Sequence, residues 1–316
     1  MNKKFFFVFR IVISIAILFA LLKFIPYKKI VEIYRDSKKI YLFFGFFIFF
    51  CCNLVAVWRW RFLLSSLGKK ISVKESLYAC FSGLFFNLFF PSYVAGDVFR
   101  GGSVSFRHGE VKKVASSVLM DRFSGAIALV VICSVSFILG RNLVPQKKVL
   151  IPLLVLWTAS GFGFLTIFSK RFFSLLIMIL KESSPLRKKL IEFHDHLYFF
   201  KQKPSVFLKS MAYSLVIQLL CVLSFFAVSR GFNLNLELIY FLILVPIIMT
   251  VVFIPISIAG FGTREAAAVY FFSLVGIDKA AGASMSFLNG IFLVLLGILG
   301  GILYVSVYHR WLQSHS

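Results

Sequence analysis

IPISIAGFGTREAAA, Ile254 to Ala268, sets a proline, two glycines and an Arg-Glu pair inside an otherwise apolar run. Hydrocarbon cannot hydrogen-bond a broken backbone, so an interruption of this kind at membrane depth persists only when it is buried in protein or lines a wet cavity. It is therefore a candidate site. An earlier stretch, FFPSYVAGDVFRGG from Phe89 to Gly102, repeats the skeleton: Pro91, Gly96 and Arg100 have the mutual spacing of Pro255, Gly260 and Arg264. Two matched interruptions suggest a transporter-like architecture in two halves.

Working outward, the rest of the chain is compatible only with a bilayer. The 316 residues are 60% hydrophobic and 18% aromatic, with a mean hydropathy of +0.92, whereas soluble domains hold roughly 45–50% apolar residues. The net charge of +23 comes from 35 Lys and Arg against 12 Asp and Glu. These cations fall in short loops between apolar runs, which points to anionic lipid headgroups as partners and not to nucleic acid. Cys51, Cys52, Cys80, Cys133 and Cys221 lie within apolar runs and read as packing residues; no metal or cofactor is expected.

Full-length spans are expected at Phe5–Ile25, Ile40–Val57, Val111–Leu139, Leu150–Phe168, Met211–Val228, Glu237–Ile254 and Gly282–Tyr308, since a crossing needs roughly 20 apolar residues. Trp58-Arg59-Trp60-Arg61 reads as a boundary cluster closing the second span. Ser76–Phe90 and the helix from Arg264 to Val275, with Thr263 as its N-cap, are too short to cross. The expected fold is thus an all-α polytopic membrane protein of about seven full transmembrane helices plus two short Pro/Gly-broken re-entrant elements, with an internal two-fold repeat. It forms one membrane domain, 1–316, with halves near 1–140 and 205–316 and a linker span plus cytoplasmic basic loop over 150–209. Tracing crossings back from that loop gives a cytoplasmic N-terminus and parallel halves; one miscounted crossing reverses the sense, which stays open. His194 and His196 in the loop lack further ligands for zinc.

The candidate binding residues are Asn87, Asp97, Arg100, Asp121, Arg122, Arg264 and Glu265, and the structural breaks are Pro91, Gly96, Pro255, Gly260 and Gly262. Asp121-Arg122 falls about two turns inside a span, where each ionisable residue costs roughly 2.5–3.5 kcal/mol even on a lenient scale, so a function or a structural ion pair must compensate. Asn87 stands where backbone groups freed by the first break need a polar partner. Arg264 opens a helix whose free amides suit an anion, while Glu265 competes for the same positive end.

At these motifs the chain resembles the flippase-like membrane domain of lysylphosphatidylglycerol synthases (multiple peptide resistance factor) and its stand-alone relatives. Asn87 and Pro91 carry the resemblance, with Gly96-Asp97-x-x-Arg100, where relatives usually have Gly-Glu-x-x-Arg, and Ser117-x-x-x-Asp121-Arg122, where many have Glu-Arg. Pro255, Gly260, Gly262, Arg264 and Glu265 complete it. Both acidic departures keep the charge and shorten the reach. The resemblance implies translocation of a charged or glycosylated lipid across the cytoplasmic membrane, with no aminoacyl-transferase domain expected and a lipid-modifying enzyme as a conceivable partner. In this reading Arg100 and Arg264 bind phosphate, Asp97, Asp121 and Glu265 hold the arginines or meet a cationic headgroup, and Asn87 ties down the broken backbone. No nucleotide-binding motif is present, so movement is driven by a gradient, by a partner, or by nothing. A membrane-embedded transferase using Asp97 or Asp121, and an accessory scaffold in which the buried charges only join helices, are the alternatives.

Overall fold

The computed structural model describes residues 27–89, 94–180, 184–251 and 260–308. Among the described residues the chain is all-helical: α1 Tyr27–Arg35, α2 Lys39–Ser66, α3 Val73–Phe89, α4 Val94–His108, α5 Val111–Gly140, α6 Gln146–Phe168, α7 Lys170–Ile177, α8 Pro185–Gln202, α9 Pro204–Gly231, α10 Leu238–Val251, α11 Thr263–Ser273 and α12 Lys279–Leu303. Five helical segments are long and apolar enough to cross a bilayer, namely Lys39–Ser66, Val111–Leu143, Gln146–Phe168, Pro204–Gly231 and Lys279–Ser306. The chain is therefore a multi-pass membrane protein. The expected span Phe5–Ile25 and the breaks Pro91 and Pro255 lie outside the described residues. α10 holds 14 described residues, shorter than the expected Glu237–Ile254 crossing.

Local chemistry explains several boundaries. Gly68, with φ of 84°, turns the chain out of α2 as its N–H bonds the Ser65 carbonyl. Pro204 opens α9 at a position whose N–H has no helical acceptor to lose. Asp278 caps α12 by accepting the Ala280 N–H at 2.9 Å. Thr263, expected as a cap, is instead the first residue of α11, and its hydroxyl donates back to the Gly260 carbonyl at 3.2 Å. The cap is Gly262, whose φ of 87° a side chain would strain.

Elements recur along the chain at the interval that separates Arg100 from Arg264. Shifted by those 164 positions, α2, α3, α4 and α5 overlay in sequence on α9, α10, α11 and α12. The corresponding helices α2 and α9 make the most extensive helix pair and run antiparallel: Gly45 meets Val228, Cys52 lies on the Ile217 carbonyl, Arg59 reaches Ser214 and Phe62 packs on Tyr213. Equivalent helices that run in opposite senses do not fit the parallel halves that the crossing count predicts. Each short helix then packs on the closing helix of the other half, α3 on α12 and α10 on α5. At Gly300 the α3 backbone approaches so closely that any Cβ would collide with the Phe81 carbonyl, the small-residue packing expected between membrane helices.

The largest apolar core lies among α9 to α12, around Phe225, Phe241, Phe272 and Phe292. Large apolar side chains such as Phe43, Ile138, Ile151 and Leu165 are exposed on the outside of the bundle, as a lipid-facing surface requires. α7 and α8 carry the basic segment, where His194 donates to the Thr166 carbonyl at 3.0 Å and stacks on Phe173 at 3.9 Å.

Candidate functional site

Three helices bring charges from distant sequence to one place. α4 supplies Asp97 from its first turn, where the helix dipole favours a carboxylate, and Arg100 one turn later. α5 supplies Asp121 and Arg122, and α2 supplies Arg59. Asp121 is the centre: Oδ1 accepts from Arg59 Nε at 2.7 Å and Oδ2 from Arg100 Nη2 at 2.8 Å. Arg100 also reaches Asp97 Oδ1 at 2.8 Å, and Asp97 Oδ2 accepts from Arg122 Nε at 2.5 Å. The result is an unbroken series Arg59–Asp121–Arg100–Asp97–Arg122, three cations against two carboxylates. Charges this deep persist only when paired and further hydrogen-bonded, and they are: Arg59 Nη1 donates to Ser214 at 2.9 Å, and Arg100 lies 4.8 Å from the centre of the Trp60 ring, whose indole N–H donates to Ser117 at 3.2 Å. Four of the five charged residues are buried, whereas the Arg122 side chain is 38% exposed.

The series lines a cavity of about 280 Å³. Asn87 and Gly96 line the same cavity, and the Gly96 N–H donates to Asn87 Oδ1 at 2.6 Å. A Cβ at Gly96 would collide with the Gly83 carbonyl and the Asn87 amide, so glycine is what lets α3 and α4 touch at the first break. Phe49, Leu84, Leu129, Ile217, Met249 and Leu293 give the same cavity an apolar part, and Asn53 and Gln218 add neutral polar groups. Cys52, Cys80 and Cys221 line the space as free thiols. Ordinary ligand pockets span roughly 300–1,000 Å³, so the space lies at the small end of that range.

The second interruption is built differently. Glu265 turns back over the start of α11, accepting the Gly262 N–H on Oε2 at 2.7 Å and Arg264 Nη2 on Oε1 at 2.8 Å. Ser286 lies 3.2 Å from both Arg264 Nε and Glu265 Oε1. The anion that the helix start was expected to attract is thus the chain's own carboxylate. Arg264 is buried beside Phe261, and Gly290 on α12 has no Cβ to obstruct its guanidinium. Neither Arg264 nor Glu265 is among the residues lining the cavity, so of the seven expected binding residues the structure gathers Asn87, Asp97, Arg100, Asp121 and Arg122 and sets this pair apart.

Arg59 was missed because the Trp-Arg-Trp-Arg cluster reads as a membrane boundary. α2 continues past it to Ser66, and helical phase divides it. Trp58 is exposed with Arg61 beside its ring at 5.7 Å, while Arg59 and Trp60 turn inward. The available signal is spacing, since Gly45, Cys52 and Arg59 recur every seventh residue and share the face that meets α9.

A family model described as lysylphosphatidylglycerol synthase TM region matches residues 7–301. The chain is also similar to a UPF0104 membrane protein of Methanocaldococcus jannaschii, at 22% identity over a 329-residue alignment that covers 95% of this chain and 94% of the relative. No solved structure matches the chain.

Proposed function

The chain belongs to the lysylphosphatidylglycerol synthase transmembrane-region family, and from that premise we propose that it moves a polar lipid across the cytoplasmic membrane, taking the headgroup into the cavity between α2, α3, α4, α5 and α9. The observation that carries this reading is the mixed lining, a cation-rich series and apolar side chains around one cavity, which suits an amphiphile with an anionic head. Arg122 meets the headgroup phosphate, because its side chain is the most exposed of the three cations. Asp97 and Asp121 keep Arg100 and Arg59 extended into the wall, and Asn87 holds the broken backbone. The α3–α4 and α10–α11 pairs act as the re-entrant elements of two inverted halves, and the basic α7–α8 segment lies on the cytoplasmic side.

The test is headgroup movement in proteoliposomes carrying fluorescent phosphatidylglycerol, comparing wild type with Arg122→Gln at equal incorporated protein. Loss of a charge-assisted contact predicts flux reduced about tenfold. Wild-type flux in Arg122→Gln, or chemical conversion of the lipid in place of movement, overturns the reading.

A further inference from the structure

At the other end of α2 lies a pocket of about 250 Å³ lined by Lys38, Tyr41, Arg230, Asn233 and Asn235. It contains two cations and no carboxylate. Neither Lys38 nor Arg230 is in an ion pair among the described residues. The Arg230 guanidinium is nonetheless fixed, lying 4.9 Å from the centre of the Phe226 ring and donating to Asn235 Oδ1 at 3.3 Å and to the Leu236 carbonyl at 3.2 Å. The pocket floor is equally determined, because the Lys38 N–H binds the Gly231 carbonyl at 2.8 Å and Asn233 donates its side-chain amide to the Asp36 carbonyl at 3.2 Å.

Two features identify what such a pocket accepts. A cation pair with amides and a phenol beside it matches a phosphate-type anion. On the same helix, Ile40, Phe43, Phe44 and Phe47 stand exposed at helical spacing, an apolar stripe that starts beside the pocket residues Lys38 and Tyr41 and runs on toward the other end of α2. A free anion has no use for that stripe, whereas a phospholipid would lay an acyl chain along it. From Lys38 to Arg59 the rise of α2 is roughly 30 Å at ~1.5 Å per residue, about the thickness of a hydrocarbon core.

We propose that the Lys38–Arg230 pocket is a second headgroup site, holding the phosphate of an anionic phospholipid at the face of the protein opposite the charged cavity. Its role as the far terminus of a lipid path rests on the function proposed above, but the binding itself does not. Native mass spectrometry of the full chain with short-chain phosphatidylglycerol tests it, with the uncharged diacylglycerol of equal chain length and inorganic phosphate as separate arms. Wild type is expected to retain two phosphatidylglycerols, and Lys38→Gln/Arg230→Gln to bind one of them about tenfold more weakly. Arg230→Lys should keep most of that binding, since it keeps the charge, and it controls for damage to the turn. Arg122→Gln should lose the other lipid only, so failure of the cavity reading and failure of this one are separately visible. Equal phosphatidylglycerol retention by wild type and the double variant overturns the site, as does diacylglycerol binding as well as phosphatidylglycerol. Inorganic phosphate binding the pocket as tightly as the lipid removes the lipid and leaves a free-anion site.

Discussion

Asp121→Asn is the substitution with the most calculable outcome. Asparagine keeps the shape, so no cavity forms, and the change is almost purely electrostatic. Asp121 is 3% exposed and satisfies two guanidiniums at 2.7 and 2.8 Å. Removing one partner of a buried pair costs about 3–5 kcal/mol, because the remaining charge is left unmatched in a medium that solvates it poorly. Arg100 keeps Asp97 and Arg59 keeps Ser214, which places the expected loss near the lower end, about 3 kcal/mol. If the cost is the orphaned Arg59, then Arg59→Leu should damage the Asp121→Asn background less than it damages wild type, with a coupling of about 1 kcal/mol or more. Unfolding in mixed micelles by SDS titration, followed by tryptophan fluorescence, gives all four corners of the cycle. An Asp121→Asn protein within about 0.5 kcal/mol of wild type, together with additive double-variant behaviour, would refute the charge-network argument.

Other outcomes follow from the same geometry. Gly96→Ala forces a methyl against the Gly83 carbonyl and Asn87; overpacking of this kind costs about 1–3 kcal/mol and should appear in the same titration, with Gly102→Ala, which meets open space, near wild type. Glu265→Ala should cost more than Glu265→Gln, since only alanine also leaves the Gly262 N–H without its acceptor; equal losses would show that the cap is irrelevant. Burial lowers the His194 pKa below its ordinary value. Its neutral form is thus favoured by folding, and stability should rise with pH between the lowered value and the unfolded value of about 6.5. Hydrogen-exchange protection in α7 and α8, taken relative to the intrinsic rate at each pH, should accordingly fall as pH drops through that window in wild type and stay level in His194→Phe.

What could be read in advance was the pair of interruptions, because proline and glycine inside apolar sequence are rare and their shared spacing is hard to produce by accident. Asn87, Asp97, Arg100, Asp121 and Arg122 were found for a similar reason: polar atoms at membrane depth must be satisfied, so their presence is itself a signal. Two things were not legible. Arg264 and Glu265 read as a ligand site since a helix start attracts anions; Glu265 is visible as a competitor for that position, but the sequence does not decide that its carboxylate, and not an outside anion, fills it. Arg59 was hidden by its neighbours, because a four-residue window cannot show which side chains face a partner helix; that depends on α9, 155 positions away at Ser214. The sense of the two halves was likewise undecidable by counting crossings, since one uncertain short helix reverses the answer, whereas four contacts along α2 and α9 fix their relative direction.

The exchange of short helices between halves bears on how the molecule can be assembled. With α3 seated on α12 and α10 on α5, each half lacks part of the surface its own short helix packs on, so a fragment carrying only the first should be unable to complete its core. Two fragments made separately and divided near Lys203, in the basic connection between α8 and α9, should instead find each other in the bilayer and restore the whole, since the cut severs none of the interlocked contacts.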